Sequence, residues 1–386
     1  MQLTFFSFVM SLIWFNLYII LINFLRKKDN FIISFNTFPL IFFLFLSMFR
    51  LIFNFEIPGA IVIESKKIYT RVYDFFRTPM NIVDTKINFF QIFILIWVTV
   101  AVISLVNNII KYRKFRKDLK ILDKNRNKEN EHIFNKVLNQ KGVKGKIKII
   151  QHDSISSPFI LGIVNGKIYI PNIKFTNKEL EYVISHEINH FKSKDSLKKV
   201  FIQTLKYVFW WNPSAHLFAN NFNHILEIQC DLKTISEFSE EEKIEYLEVI
   251  TRIIKENANT ESDMKPEYTN IPNFVEIEEL SSLKQRFRIV LNYKSKLNMF
   301  KKMNILLYIL GLLLFISSYF VIIQPDYEPA SNEIYEYEKI DESNSFIIKQ
   351  SDGSYDIYID HIFKYNVEDL NDLNKDLRNL PVMEKE

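Results

Sequence analysis

Four long apolar windows constrain the fold of this chain more than any other feature. A helix of roughly 20 apolar residues crosses a bilayer, and each window comes close to that length or exceeds it. Each window also abuts a charged segment, which favours membrane spans over buried core helices. The windows are 3–25, 38–55, 88–110 and 303–323. The sequence therefore predicts a mainly α-helical integral membrane protein with four transmembrane helices.

The ends of these windows predict how the chain is oriented. Basic clusters follow the first and third windows and precede the fourth, and the positive-inside rule places such clusters in the cytoplasm. The first window has no basic segment before it and no small-residue cleavage site after it, so we expect a retained span rather than a signal peptide. The N-terminus and the C-terminal tail then lie outside. That tail carries 16 Asp and Glu residues against 6 Lys and Arg residues from position 324 onward.

This orientation predicts the domain organisation of a multi-pass membrane protein. A single cysteine excludes a disulfide framework, and with it the small secreted scaffolds. The predicted regions are a three-helix membrane region over 1–110 with an external loop at 56–86, a cytoplasmic domain over 111–302, a fourth span over 303–323 and a short acidic extracellular tail over 324–386.

Within the cytoplasmic domain, residues 111–127 form a basic segment next to the membrane. Such a segment is typical of stop-transfer and of attraction to anionic lipid, which we favour over nucleic-acid binding. Alternating apolar residues predict strands at 146–151 and 166–171. The second strand is either an edge strand that pairs with a substrate backbone or a plain core strand. Further helices are predicted over 195–210, from 212 onward and over 239–256, followed by a polar loop over 257–275.

A capped helix carries the residues that point to chemistry. Thr176 and Glu179 form a capping box, so a helix begins there and continues through His190. His186 and His190 are four residues apart and project from one face of that helix, with Glu187 beside them. His-Glu-x-x-His on a helix supplies two zinc ligands and the general base of a metallopeptidase. Chance also produces this short pattern, so a third ligand decides its meaning.

The third ligand is expected on a later helix. The extended pattern with a third histidine fails, because serines occupy its glycine and histidine positions. Glu227 and Asp231 lie one turn apart on the same predicted face, so one is able to bind a metal while the other accepts a hydrogen bond from a ligand histidine. His224 is the first alternative ligand, although a structural role is favoured for it. Cys230 is interpreted as a small buried side chain.

The segments SHEINHFKSKD, FWWNP, LEIQCD and LKQRFRIV, in this order, resemble the BlaR/MecR-type family of bacterial membrane zinc metallopeptidases, which transduce β-lactam signals. The resemblance covers about residues 1–323. It implies a cytoplasmic α+β zincin-like domain of the HExxH…E (gluzincin) type between spans three and four. It also implies Zn²⁺ on His186, His190 and Glu227, with Glu187 as general base and Asp231 supporting a ligand histidine.

The resemblance departs at the C-terminus. The well-known β-lactam sensors carry a large extracellular penicillin-binding domain with an acylated serine. Only 63 residues follow the fourth window here, so we expect this sensor domain to be lacking.

The sequence therefore predicts a bacterial cell-membrane zinc endopeptidase with its active site in the cytoplasm. We expect a signal transducer that cleaves a cytosolic transcriptional repressor, itself, or both. Its partners are then a protein or peptide substrate and the lipid bilayer, with no direct contact to nucleic acid. Two alternatives stay open at this point. One is a constitutive quality-control protease for membrane proteins, and the other is a non-catalytic receptor or scaffold with a vestigial peptidase fold.

Overall fold

The computed structural model of the chain forms two compact units. One comprises Met1–Ile63 and Val72–Ile323, and the other Glu64–Arg71 and Gln324–Glu386. The residues that the structure describes are 5–55, 57, 59–65, 68–82, 85–122, 131–143, 147–263, 280–293, 301–325, 345–350, 353–359, 362–367, 370 and 377–384.

Helices dominate the described residues of the chain, and short strands lie between and after them. The helices are α1 (Phe5–Arg26), α2 (Asp29–Phe35), α3 (Phe38–Ile52), α4 (Ile68–Arg77), α5 (Phe89–Leu122), α6 (Glu131–Gln140), α7 (Asn177–Lys192), α8 (Asp195–Val208), α9 (Pro213–Thr234), α10 (Glu240–Asp263), α11 (Leu280–Asn292) and α12 (Lys301–Ser317). The strands are β1 (Ile61–Ser65), β2 (Pro79–Ile82), β3 (Thr85–Asn88), β4 (Lys148–His152), β5 (Phe159–Leu161), β6 (Lys167–Pro171), β7 (Val321–Pro325), β8 (Phe346–Lys349), β9 (Tyr355–Ile359), β10 (Ile362–Val367) and β11 (Val382–Glu384).

Two of the described helices, α1 and α5, are by themselves long and apolar enough to cross a membrane. Helices α2 and α3 pass the same test only together, and they are bent by 101° at the break between them. The apolar side chains of α1 and α5 are widely exposed, as Ile20 (59%) and Leu95 (68%) illustrate. Exposed apolar surface of this extent fits contact with lipid. The described residues thus contain two candidate membrane spans, or three if the bent pair is counted as one.

The fourth apolar window differs from its predicted bounds of 303–323. Helix α12 ends at Ser317, and residues 321–325 form strand β7 instead. The buried Arg50 explains this end, because its Nε donates to Ser318 Oγ (3.0 Å) and its Nη2 to the Ser318 carbonyl (3.3 Å). The Tyr319 ring also lies 4.1 Å from the guanidinium. A continuing helix would need the Ser318 carbonyl for its own hydrogen bond.

Two other predicted boundaries also differ from the structure. Helix α5 continues without a break from the apolar third window into the basic segment, as far as Leu122. Helix α10 continues to Asp263, beyond its predicted end near 256. The rest of the predicted loop at 257–275 lies outside the described residues, as do residues 123–130.

A three-stranded sheet stands beside helix α7. Its order is β4-β6-β5, with β4 parallel and β5 antiparallel to β6. Both predicted strands are confirmed, and β6 is the central one, so its backbone is not free to pair with a substrate. The edge strand next to α7 is β5. Phe115 of α5 packs on this sheet, with its ring centroid 6.0 Å from that of Phe159.

The second unit contains a small β-sheet within the predicted tail. Its strand order is β10-β9-β8-β11, antiparallel except for the parallel pair β8 and β11. A small apolar core lies against it, formed by Ile347, Ile357, Ile359, Leu377 and Leu380.

Candidate metal centre

Helix α7 is set in place by its cap and by its apolar face. Glu179 N donates to Thr176 Oγ1 (3.3 Å) and Thr176 N donates to Glu179 Oε2 (2.7 Å), which is the predicted capping box. Ile184 and Ile188 are fully buried. Because these two residues fix one face of α7 in the core, the rotation of the helix about its axis is fixed as well.

The structure brings together the three side chains that the resemblance implies as ligands. His186 Nε2 and His190 Nε2 lie 3.2 Å apart. Glu227 of α9 places Oε2 at 3.6 Å from His186 Nε2 and Oε1 at 3.6 Å from His190 Nε2. Helix α9 reaches this position because Asn212 caps it, with its Oδ1 accepting from Ser214 N at 2.9 Å.

These distances fit a tetrahedral metal ion. Ligand atoms about 2 Å from a tetrahedral zinc ion lie roughly 3.3 Å from one another. The separations of 3.2, 3.6 and 3.6 Å bracket this value. Two imidazoles and one carboxylate are also the donor set of catalytic zinc sites that keep a fourth position open. The residues present therefore fit a zinc ion.

His186 is held on its far side by a network of buried groups. Its Nδ1 donates to the Tyr246 hydroxyl (2.8 Å), which itself donates to Asp231 Oδ1 (2.6 Å). Arg286 of α11 donates from Nε to Asp231 Oδ2 (2.6 Å) and from Nη2 to Oδ1 (2.8 Å). Burial acts to raise the pKa of Asp231, but the Arg286 charge holds that pKa well below its usual range. Asp231 is therefore a carboxylate, and its Oδ1 lies 3.3 Å from His186 Nδ1 as well as contacting His186 through Tyr246.

His190 is held in the same way from the other side. Its Nδ1 donates to Asp195 Oδ2 (2.9 Å), and Lys198 Nζ donates to Asp195 Oδ1 (2.8 Å). The chain turns back after α7 because Lys194 adopts φ 55°, in the left-handed region. Asp195 then returns to His190, from which it is only five residues away. Both ligand histidines thus use Nδ1 for hydrogen bonds and leave Nε2 facing Glu227.

Glu187 lines the same cavity as the three ligand side chains. The cavity has a volume of about 1700 Å³, and its other walls come from β5, from the inner end of α5 and from α11. Glu187 is 6% exposed, and its burial raises the pKa of its carboxyl group. A carboxylate with a raised pKa beside a metal site is suited to accepting a proton.

The comparison with known proteins agrees with this geometry. Residues 57–290 match the family described as BlaR1 peptidase M56, which is more than half of the chain. The chain belongs to this family.

Several curated relatives carry related names. The regulatory protein BlaR1 of Bacillus licheniformis is 28% identical over 176 residues, which cover 45% of this chain and 29% of that protein. The methicillin resistance mecR1 protein of Staphylococcus aureus is 30% identical over 112 residues, covering 28% of this chain and 19% of that protein. The regulatory protein BlaR1 of Staphylococcus aureus is 27% identical over 158 residues, covering 40% and 27%. The aligned part is less than a third of each relative's length.

For this member of the M56 family, two groups among the described residues could hold a metal ion, one of His186, His190 and Glu227 and the other of His190, Asp195 and Cys230. His224 Nε2 lies 3.0 Å from Gln285 Oε1, and neither metal-capable group among the described residues includes His224. Cys230 is fully buried with its Sγ 3.2 Å from His190 Nδ1, and burial raises the pKa of its thiol to about 11. The thiol is therefore protonated at neutral pH and packs against His190.

Four residues of the site were not predicted from the sequence, namely Asp195, Lys199, Tyr246 and Arg286. The contact of Asp195 with His190 could have been predicted from the sequence. Asp195 follows His190 by only five residues and comes just after the end of α7, so a turn there brings its carboxylate back to the histidine. Tyr246 and Arg286 come from α10 and α11, 60 and 55 residues away in sequence from the groups they bind, and a single sequence carries no signal for such contacts.

Proposed function

We propose that this chain is a membrane zinc endopeptidase with its active site on the cytoplasmic side. The observation that carries the proposal is the set of separations, 3.2 to 3.6 Å, between His186 Nε2, His190 Nε2 and the Glu227 carboxylate. Membership of the M56 family supports it. The proposed topology has four spans, with the N-terminus and the C-terminal tail outside.

In this proposal His186, His190 and Glu227 hold the zinc ion. A bound zinc ion supplies a Lewis acid that polarises the scissile carbonyl and activates water. Asp195 and Asp231 keep both imidazoles in the tautomer that presents Nε2, and such outer partners fix ring orientation. Arg286 compensates the buried charge of Asp231, so that this carboxylate stays ionised.

Glu187 is the proposed general base. It is adjacent to His186 on α7 and lines the cavity, so its carboxylate faces the reacting groups without serving as a ligand. It takes a proton from the attacking water and delivers it to the leaving amine. Burial shifts the pKa of Glu187 toward neutral pH. A group that both takes and gives a proton works best when its pKa lies near the working pH.

The proposed role is regulatory, with a protein as substrate. Relatives of this chain are named as regulatory and methicillin resistance proteins. We propose a cytosolic repressor, the chain itself, or both as the substrate. Each of the two histidines has a carboxylate beside its Nδ1, namely Asp231 for His186 and Asp195 for His190. This favours a working enzyme over a non-catalytic receptor or scaffold.

The test replaces Glu187 with Gln in the full chain. This variant keeps the shape of the side chain but cannot accept the proton, so cleavage should fall by at least ~10²-fold. Zinc content should stay near that of the native protein, since Glu187 is not a ligand. The measurements are metal analysis of the purified protein and mass spectrometry of new protein N-termini in cells.

Glu181→Gln is the matched control, because it makes the same change on the same helix. Glu181 forms an ion pair with Lys136 away from the site, so its loss should leave cleavage unchanged. New N-termini that persist in the Glu187→Gln variant belong to another protease. If every one of them persists, the receptor or scaffold interpretation replaces the enzyme.

A further inference from the structure

The corner between α8 and α9, residues 208–213, contacts the two spanning helices far from their inner ends. Trp97 Nε1 of α5 donates to the Val208 carbonyl (2.5 Å), and Trp210 Nε1 donates to the Trp97 carbonyl (3.3 Å). Asn212 Nδ2 donates to Asn16 Oδ1 of α1 (3.1 Å). These bonds tie the corner to α1 and α5 at defined positions along both helices.

The parts of α1 and α5 that precede these contacts are too short to span a membrane by themselves. Eleven residues of α1 (5–15) and eight of α5 (89–96) precede the contacts at Asn16 and Trp97. A span needs about 20 residues. If α1 and α5 cross the bilayer, the bilayer therefore has to include the level of the corner.

A second set of contacts gives the level of the other end of the hairpin relative to α1. Gln285 contacts His224 of α9 at 3.0 Å and also donates to the carbonyl of Arg26 at the end of α1 (2.8 Å). Ten residues separate Asn16 from Arg26, which is about 15 Å of helix and about half the thickness of the hydrocarbon core. The site thus lies level with the inner end of α1, and the corner lies near the middle of the core.

We propose that the α8–α9 hairpin, residues 195–234, enters the bilayer beside α1 and α5, and that the outer face of α8 contacts lipid acyl chains. This replaces the expectation that residues 111–302 lie wholly in the cytoplasm. It rests on α1 and α5 crossing the membrane and does not depend on catalysis. The catalytic groups then lie at the membrane surface, where α1 and α5 emerge.

The side chains of the hairpin suit this environment. Residues 200–226 include one formally charged side chain, Lys206. Phe201 of α8 is apolar and 46% exposed, and it is not among the residues that line the cavity. Helical side chains lean toward the N-terminus, so the Lys206 stem leans toward the catalytic end of α8, and a long lysine stem reaches the interface in this way.

Several polar groups of the corner are also bonded within the protein, although Trp211 Nε1 is buried without a hydrogen-bond partner in the part of the chain that the structure describes. The Val208 carbonyl accepts from Trp97, and the Trp210 carbonyl lies 2.8 Å from His216 Nε2. Asn212 N donates to the Phe209 carbonyl (2.9 Å). Irregular backbone at membrane depth is tolerated when its groups are bonded within the protein in this way.

The test uses spin labels on the full chain reconstituted into phosphatidylcholine vesicles. Phe201→Cys and Pro213→Cys place labels on the hairpin at positions that are exposed in the structure. Protection of these labels from a water-soluble reagent would therefore not be due to burial within the protein. Ile20→Cys on α1 is the lipid control, and Glu240→Cys, with a side chain 68% exposed, is the water control. The native chain, whose Cys230 is buried, gives the labelling blank.

The expected result is that labels at 201 and 213 match the label at 20. They should be accessible to oxygen and protected from a water-soluble nickel chelate. The proposal is overturned if the labels at 201 and 213 are as accessible to the chelate as the label at 240 while the label at 20 stays protected. Accessibility at 20 as well also overturns it, because α1 then does not cross the membrane.

A measurement without substitutions guards against misfolded variants. The chain has four tryptophans, at 14, 97, 210 and 211, and the proposal places all of them in the bilayer. Iodide in the aqueous phase should therefore leave the fluorescence of the native protein nearly unquenched. Quenching of about half of the emission means that the corner lies in water, and it overturns the proposal.

Discussion

The end of the α8–α9 hairpin that carries Asp195 and Glu227 is rich in charged side chains that are at least partly buried, whereas the corner has almost none. Asp195 and Glu227 stand at the catalytic end, each within hydrogen-bonding distance of a lysine as well as near a histidine. Trp210 and Asn212 stand at the corner and bond to neighbouring helices. The same two helices thus separate two tasks. One end fixes a metal site, and the other fixes the hairpin against α1 and α5.

The largest expected effect lies at the catalytic end. Glu227→Ala removes the carboxylate ligand, so purified protein should lose its bound zinc outright and cleavage should fall to background. Metal analysis and a cleavage assay check this. A variant that keeps full zinc and activity would mean that the third ligand lies elsewhere, with His224 as the first candidate.

Arg286→Met tests the network behind the ligands. Breaking a buried ion pair by removing one partner leaves an uncompensated charge and costs about 3–5 kcal/mol. Arg286 is 7% exposed and makes two bonds to Asp231, so a drop of several degrees in the melting temperature is expected. Thermal unfolding in detergent measures it. The double variant Arg286→Met with Asp231→Asn should recover part of the loss, and no recovery would place the effect outside this pair.

A smaller effect is expected at the bond that orients His190. Asp195→Asn should weaken zinc binding by roughly 10–100-fold, the usual cost of losing an outer partner of a ligand histidine. Competition with a chelator of known affinity measures the change. Lys198→Met is the control, because it removes a different contact of Asp195 and leaves the bond to His190 in place. Equal losses in both variants would argue for a general electrostatic effect in place of orientation.

The smallest effect is expected at the corner. Asn212→Ala removes the cap of α9 and should cost about 1 kcal/mol of stability. Zinc affinity should stay at the native value, because Asn212 is far along α9 from Glu227. Asn212→Ser keeps an acceptor for Ser214 N but loses the amide that donates to Asn16, so it separates capping from packing. A loss of zinc affinity in either variant would break the division of tasks between the two ends.

The sequence was most informative where local rules decide the structure. The capping box at Thr176 and the cap at Asn212 predicted where α7 and α9 begin, and both starts are confirmed. The strand alternation and the two histidines on one face of α7 are likewise local patterns. The ligand roles of His186, His190 and Glu227, the base role of Glu187 and the support from Asp231 stay predictions.

The sequence was least informative where distant segments meet. The end of α12 depends on Arg50, which is 268 residues away from Ser318 in the chain. Hydropathy alone predicted that the helix continues to 323, because a hydropathy profile contains no information about a contact between Arg50 and Ser318. The depth of the corner depends in the same way on Trp97 and Asn16. Basic flanks predicted the orientation of α1 and α5, but not that a later hairpin lies alongside them.

The unbroken length of α5 has a mechanical consequence. Its 34 residues form a rod of about 51 Å, whereas the hydrocarbon core is only about 30 Å thick. The inner part of the rod carries Phe115, which packs on the sheet whose edge strand borders the catalytic cavity. Because no hinge interrupts the rod, a tilt of about 5° at its outer end shifts its inner end by roughly 4 Å, taking the rise per residue for its length. Helix α5 thus connects its apolar N-terminal part to one wall of the cavity through a single unbroken helix.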